Sequence, residues 1–237
     1  MHRAGSSGEL RGVHGSQLIL MSARCETYNQ MQRTCQPVTH FAKNKMRAGL
    51  PRRLSGALCR EVREVVEYRL ANGGDARNIA ALHAENWRRA YRGNFRDEYL
   101  DSDVLSERQR VWESRLDHPA ANQYVCVALQ GARVIGFVCV FGSHDREWGS
   151  FIDNLHVHVD VQRRGIGSTL MCKAGSWLSL EFPNERAYLF VWEFNPARAL
   201  YERLGGLNTG IIEVENPGGG TGRYFRYVWE RPHQLAA

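Results

Sequence analysis

The sequence lacks the features of a membrane protein and of a disulfide-rich or zinc-binding one. No apolar run reaches the ~18–20 residues that a transmembrane helix needs, and the run at residues 18–21 is too short for the core of a secretory signal. The six cysteines form no Cys-x-x-Cys pair and no Cys/His cluster with zinc spacing. These absences predict a cytoplasmic protein that binds no metal and keeps its thiols reduced.

Positive charge is also scarce outside the first part of the chain. The net charge is +6, yet residues 1–60 alone hold ten basic and two acidic side chains, or +8. The remaining 177 residues therefore sum to −2. A nucleic-acid-binding domain normally carries a basic face of its own, so the charge distribution argues against nucleic acid as a partner.

The chain divides into two parts by pattern. Residues 1–60 show no sustained hydrophobic period and are rich in Gly, Ser, Arg and Gln, which predicts a poorly ordered basic extension. Residues 65–232 alternate segments of strand and helix periodicity, which predicts one folded domain.

The order of elements within the domain predicts an α/β (α+β) fold around one mixed sheet. The expected strands are residues 65–70, 124–129, 134–141, 150–159, 187–192, 211–214 and 224–229, and the expected helices are 76–91, begun by Asp75 as N-cap, 104–116, 165–180 and 196–204. Sequential strands pair antiparallel, whereas the strand–helix–strand unit of residues 150–192 predicts one parallel, right-handed connection. We therefore expect a mostly antiparallel sheet with helices on both faces.

One strand-to-helix junction contains two closely spaced glycines. Gly165 and Gly167 remove side chains where backbone N–H groups can turn towards one ligand, and the start of the helix adds a positive dipole end. Arg163 and Arg164 add positive charge, so the junction predicts a pyrophosphate site. A dinucleotide fingerprint needs a third glycine where Leu170 stands, and a P-loop needs Gly-Lys-Ser/Thr; neither motif is present.

The motif Gln162-x-x-Gly165-x-Gly167 after an apolar strand, followed by Asn195 and Tyr201 on the next short helix, resembles the GNAT superfamily of N-acetyltransferases. The resemblance covers nearly all of the predicted domain. It implies an acyltransferase that uses acetyl-CoA as cosubstrate and acetylates a primary amine of a small molecule or a peptide by direct attack in a ternary complex. It also implies a sheet that splays at the cofactor site.

The resemblance further assigns roles to individual positions. The strand would bond the pantetheine arm and the loop amides would hold the pyrophosphate; the residues concerned are Leu155, His156, Val157, Gln162, Arg163, Arg164, Gly165, Ile166, Gly167 and Ser168. Asn195 would contact the cofactor or brace the splayed strands. Tyr201 would lie near the thioester sulfur and protonate the leaving thiolate, while the Val157 amide would donate to the developing oxyanion.

The general base is sought in the same strand. Asp153 is the candidate because a carboxylate there can take a proton from the attacking amine, and it shares a pleat face with Leu155 and Val157 if no bulge intervenes. Glu147 and His156 are alternatives. Asp153 could instead pair with an arginine, and the amine could lose its proton through a water chain.

The acceptor site is expected between the first two helices and two later loops. Trp87 and Tyr91 are the candidate substrate-binding residues, with Trp112 and Trp148 as further possible walls. Residues 218–220 are three glycines that predict a flexible hairpin tip beside this site. Pairing through a late strand could produce a homodimer. The alternative to an enzyme is a sensor that binds acyl-CoA without turnover.

Overall fold

The computed structural model describes residues 65–236 of the chain. The strands are β1 (Val66–Leu70), β2 (Gln123–Gln130), β3 (Arg133–Asp145), β4 (Gly149–Val157), β5 (Ala187–Trp192), β6 (Leu207–Glu215) and β7 (Thr221–Trp229). The helices are α1 (Ala76–Ala90), α2 (Val104–Asp117), α3 (Ile166–Glu181) and α4 (Arg198–Arg203). This order confirms the predicted fold class. The extension predicted over residues 1–60 lies outside the described residues.

All seven strands form one sheet in the order β1-β2-β3-β4-β5-β7-β6. Neighbouring strands are antiparallel except β4 and β5, which are parallel as predicted. These two share only the register pairs Ser150 with Ala187 and Phe151 with Tyr188. Beyond Phe151 the two strands diverge, so the sheet splays open beside the second half of β4.

Helices cover both faces of the sheet because side chains alternate along the central strands. On β2, Val125 and Val127 pack with Ile79 of α1 in one core cluster. Cys126 and Ala128 point the other way and belong to the cluster that α3 forms with β3, β5 and β7. The sheet therefore separates α1 and α2 from α3, as the expectation of helices on both faces requires.

Several element boundaries differ from the predicted ones. β4 ends at Val157 because His158 begins a 3-10 turn, where its side chain accepts a hydrogen bond from the amide of Asp160. The last helix begins only at Arg198, since a non-helical turn after Asn195 precedes it. The last two strands are longer than predicted because their antiparallel pairing continues to the turn that joins them.

Asp75 is the N-cap residue of α1, as predicted, but its side chain makes no capping hydrogen bond to the helix. Its carboxylate pairs with Arg69 of β1, with 2.7 Å between Nη1 and Oδ2, and accepts a hydrogen bond from the amide of Asn72. The hydrogen bond from Arg69 holds the pKa of Asp75 below its usual value. The pair joins the edge of the sheet to the start of α1.

Candidate active site

The splay between β4 and β5 opens into a cleft of about 1610 Å³. Its walls come from α1, α2, β4, β5 and the turn between β6 and β7. Nine of the predicted catalytic, cofactor-binding and substrate-binding residues line it: Trp87, Tyr91, Asp153, Leu155, His156, Val157, Gln162, Asn195 and Tyr201. Residues 163–168 follow Gln162 at the start of α3 and are not part of its walls.

The start of α3 presents free hydrogen-bond donors. Six consecutive backbone amides, from Arg163 to Ser168, donate no hydrogen bond to another residue within 65–236. Gly165 is the N-cap residue, with φ 84° in the left-handed region that favours glycine, and it has no side chain with which to cap the helix. The first amides of a helix also lack intrahelical acceptors. This junction is therefore built to receive an anion.

The end of β4 offers a backbone acceptor to the cleft. The carbonyl oxygen of Val157 accepts hydrogen bonds from Nδ2 of Asn86 at 3.2 Å and from Nε2 of Gln162 at 3.0 Å. A carbonyl oxygen has two lone pairs, so both are in use. A ligand amide that bonded this carbonyl would replace one of these side chains, and Gln162 is the more exposed of the two.

A β-bulge in β4 changes the predicted position of Asp153. The register between β3 and β4 shifts at this residue, which has no partner on β3. Asp153 faces α2, where its Oδ2 lies 2.6 Å from Nη1 of Arg115, whereas Leu155 and Val157 pack against the α3 core. The shared face was expected only without a bulge, and the bulge removes it, because the extra residue reverses the alternation of side chains.

Two of the aromatic walls and one of the alternative bases do not belong to the cleft. Trp112 is fully buried and donates its indole N–H to Nδ1 of His83 at 3.0 Å. Trp148 lies under the guanidinium of Arg226, 3.9 Å from the ring centre, away from the cleft lining. Glu147 is exposed in the turn between β3 and β4. The predicted roles of these three residues are wrong, because packing or turn formation takes them elsewhere.

A pair of histidines lies between α1 and β4. The rings of His83 and His156 are 4.5 Å apart, and Nδ1 of His156 lies 3.4 Å from Nδ2 of Asn86. Burial lowers the pKa of His156 to about 4 and that of His83 well below its ordinary value. Both rings are therefore neutral at pH 7. Because N–H donors occupy both Nδ1 atoms, each ring carries its proton on Nε2.

Stability is expected to fall in mild acid because of these histidines. An unfolded histidine binds a proton below pH ~6.5, whereas folded His156 resists protonation until about pH 4. As the pH falls, protons therefore bind the unfolded chain first. The free energy of unfolding decreases between pH ~6.5 and about pH 4, by ~3 kcal/mol for His156. Urea unfolding at several pH values should show a shallower loss in His156→Gln than in wild type. Equal losses of stability in the two proteins would contradict a lowered pKa of His156.

Tyr201 and Tyr91 lie in the same part of the cleft. Burial raises the pKa of Tyr91 to about 12, although a hydrogen bond with Asn195 opposes the shift. Burial also raises the pKa of Tyr201 well above its ordinary value, and Tyr91 adds to that shift. No residue within 65–236 is a hydrogen-bond partner of the Tyr201 hydroxyl. Tyr201 is therefore a neutral phenol whose proton is free to be donated to a ligand.

Asn195 connects the end of β5 to α1. Its side-chain oxygen accepts a hydrogen bond from the amide of Ala197 at 2.9 Å, and its side chain also bonds Tyr91 of the segment after α1. The first bond shapes the turn after β5, and the second joins that turn to the residue that follows α1.

Several polar residues of the cleft were not predicted from the sequence. The guanidinium of Arg108 lies over the ring of Trp87 at 4.7 Å and donates to Glu107 at 2.7 Å, while its Nε is buried without a partner in the described part of the chain. The seven-residue spacing of Arg108 and Arg115 places them on one face of α2 and could have indicated this wall. Asn86 had no comparable signal, because its role depends on the end of β4.

The described part of the chain holds neither a metal cluster nor a membrane-spanning helix. Among residues 65–236, no three His, Cys, Asp or Glu side chains are placed to hold a metal ion, and no helix there has the length and apolarity to cross a bilayer. Cys126 and Cys139 are free and buried, and burial raises the pKa of Cys139 to about 12. A thiol with so high a pKa is unreactive at neutral pH.

Sequence comparison connects this site with known acetyltransferases. The model of the Acetyltransferase (GNAT) family matches residues 82–206. The uncharacterized N-acetyltransferase YuaI of Bacillus subtilis (strain 168) is 27% identical over 141 residues, which are 58% of this chain and 78% of that protein.

Solved structures share the fold. The PaiA N-acetyltransferase from Thermoplasma acidophilum, in complex with coenzyme A, is 15% identical with a TM-score of 0.50 over 70% of this chain and 99% of its own. YncA from Salmonella typhimurium, with acetyl-CoA, is 16% identical with a TM-score of 0.53 over 70% of this chain and 94% of its own. Because the family model matches more than half of the sequence, the chain belongs to the GNAT family and is an acetyl-CoA-dependent acyltransferase.

Proposed function

We propose that the protein transfers the acetyl group of acetyl-CoA to the nitrogen of a primary amine by direct attack in a ternary complex. The observation that carries this proposal is the cleft itself. Its lining brings together Gln162, which precedes the free amides of α3, the end of β4, Tyr201 and the aromatic residues Trp87 and Tyr91. A cosubstrate anchored at the amides of α3 would extend along β4 into the cleft that Tyr201 lines.

The residues of the junction fit the cosubstrate. The amides of residues 163–168 would hold the pyrophosphate, with Arg163 and Arg164 adding charge. The backbone of Leu155, His156 and Val157 would bond the amides of the pantetheine arm in the manner of an added strand. The bound thioester supplies an activated acyl group and a thiol leaving group.

The phenol of Tyr201 would donate the proton that the leaving sulfur takes up. Its raised pKa keeps the phenol protonated at any pH at which the protein operates. The amide of Val157 would donate to the oxygen of the reacting carbonyl.

Asp153 remains our proposed base, acting through the carboxylate oxygen that Arg115 does not use. Arg115 bonds Oδ2, and no residue within 65–236 bonds Oδ1. Glu147 lies outside the cleft, and the Nδ1 lone pair of His156 is directed at Asn86. Among the three candidate bases, only Asp153 therefore both lines the cleft and has a lone pair that no neighbouring residue uses.

Replacing Asp153 with asparagine tests this role. We expect kcat/KM to fall by roughly 100-fold with little change in acetyl-CoA affinity, because the amide cannot take a proton. The measurement is the pH dependence of kcat/KM beside urea unfolding, with Glu147→Gln as the matched control outside the cleft. An unchanged kcat/KM in Asp153→Asn would mean that Asp153 is not the base and that solvent takes the proton from the amine.

The proposed function is tested by thiol release from acetyl-CoA over a panel of primary amines and peptides, with the acetylated product identified by mass spectrometry. Release coupled to product formation supports a transferase. Tight acetyl-CoA binding in calorimetry without release on any amine would refute the proposal in favour of a sensor. A cytoplasmic location and a homodimer stay predictions.

A further inference from the structure

The turn between β6 and β7, residues 216–220 and here called the strap, is bonded to the loop after α1. Nδ2 of Asn216 donates to the backbone oxygen of Asn94 at 2.8 Å and to its Oδ1 at 3.2 Å. The hydroxyl of Tyr224 donates to Oδ1 of Asn216 at 2.6 Å and accepts from Nδ2 of Asn94 at 3.0 Å. The three side chains form a closed ring of hydrogen bonds, and Asn216 is only 2% exposed.

A second contact fixes the middle of the strap. Gly218 has φ 78°, and a Cβ atom there would lie 2.4 Å from Cγ of Tyr99, so no other residue fits. Tyr99 is itself held by a hydrogen bond from its hydroxyl to Glu107 of α2. The strap is thus attached to both the beginning and the end of the connection between α1 and α2, which differs from the flexible tip predicted from its glycines.

The strap forms part of the wall of the cleft. Its residues line the cavity together with Trp87 of α1 and with Tyr91 and Phe95 of the loop that follows α1. An extended polypeptide lying between two backbones needs ~4.8 Å on each side, or walls roughly 10 Å apart. Direct hydrogen bonds of 2.8 and 3.2 Å from Asn216 of the strap to Asn94 leave no such groove between these two segments.

We infer that the acceptor is a small free amine with an apolar or aromatic body, enclosed beside the strap, and that amines carried on polypeptides are excluded. The aromatic walls match this class: the rings of Tyr91 and Phe95 stack at 4.5 Å, and Trp87 meets Phe95 edge-on at 5.2 Å. Such walls bind an apolar body by burying it, whereas a peptide requires main-chain partners. The inference rests on the proposed acetyl transfer and specifies its acceptor.

The experiment compares kcat/KM for thiol release by the full chain on phenethylamine and tryptamine with that on two peptides. One peptide has a free N-terminus, and the other has a blocked N-terminus and one lysine. We expect the wild type to prefer the small amines by about 100-fold. Tyr224→Phe and Asn216→Ala should each reduce this preference by roughly 10-fold, because they loosen the strap. Asn208→Ala, on the exposed part of β6, should not change it.

The outcomes separate this inference from the proposed function. Wild-type rates on either peptide equal to or above those on the small amines would overturn the inference and leave acetyl transfer standing. A preference that stays unchanged in both strap variants, with thermal unfolding showing them folded, would also overturn it. Acetyl-CoA binding without thiol release on any of the four probes would refute the transferase itself.

Discussion

Tyr201→Phe is expected to lower kcat by roughly 100-fold or more while leaving acetyl-CoA affinity unchanged. The substitution removes the proton that we assign to the leaving sulfur but keeps the ring, which packs 5.9 Å from Tyr227 and 6.4 Å from Trp229. The hydroxyl has no hydrogen-bond partner within residues 65–236, so its loss leaves no unpaired group behind. Steady-state thiol release gives kcat, and calorimetry gives the affinity.

Tyr124→Phe is the matched control for this experiment. Tyr124 lies on β2 outside the cleft, where its ring stacks on Trp177 at 5.1 Å. Both substitutions remove one hydroxyl from a tyrosine packed against aromatic side chains, yet only Tyr201 faces the cleft. We expect Tyr124→Phe to keep wild-type kcat. A wild-type kcat in Tyr201→Phe would mean that another donor, such as water, protonates the thiolate.

Gly167→Glu is expected to weaken acetyl-CoA binding by at least about 100-fold, because a like charge ~5 Å away costs ~3 kcal/mol at an effective dielectric constant of 20. The backbone tolerates a side chain here, since a Cβ atom would lie 3.4 Å from Cδ2 of Leu200 and 3.7 Å from Cγ2 of Val157. Gly165 would be a poorer probe. Its φ of 84° adds backbone strain of roughly 1–2 kcal/mol to any substitution.

Gly167→Gln separates charge from bulk in this test. The two side chains have nearly the same size, so the glutamine variant should lose far less affinity for acetyl-CoA in calorimetry. Equal losses would mean that the added volume blocks the cleft. Wild-type affinity in Gly167→Glu would mean that the pyrophosphate binds elsewhere. Unfolding midpoints of all three proteins establish that the comparison concerns folded protein.

Local periodicity explains why the sequence predicted the element order and the cofactor loop. The alternation of side chains between the two faces of a strand depends on neighbouring residues alone. The structure has the predicted hairpin at residues 124–129 and 134–141. The junction around Gly165 and Gly167 is equally local, because a helix start and two missing side chains suffice to create free amides. These features need no knowledge of distant residues.

The bulge at Asp153 and the contacts around it could not be predicted in this way. A single extra residue reverses the face of every side chain on one side of it, yet it leaves no trace in composition. The pair with Arg115 and the bonds of Asn86 connect residues 38 and 71 positions apart. The strap shows the same limit: its three glycines predict a flexible tip, but Tyr99 lies against Gly218 and Asn94 accepts a hydrogen bond from Asn216.

Because β4 and β5 pair over only a short length, the two halves of the sheet on either side of them are joined by few backbone contacts. Only two register pairs and the hydrogen bond from the Ser150 amide to the Arg186 carbonyl join β4 to the β5 side of the sheet within residues 65–236, so the angle between the two halves depends on the packing beneath them. Leu170 and Met171 of α3 are fully buried in the cluster that spans both halves. The aperture of the cleft is therefore determined by the volume of the side chains packed between α3 and the sheet.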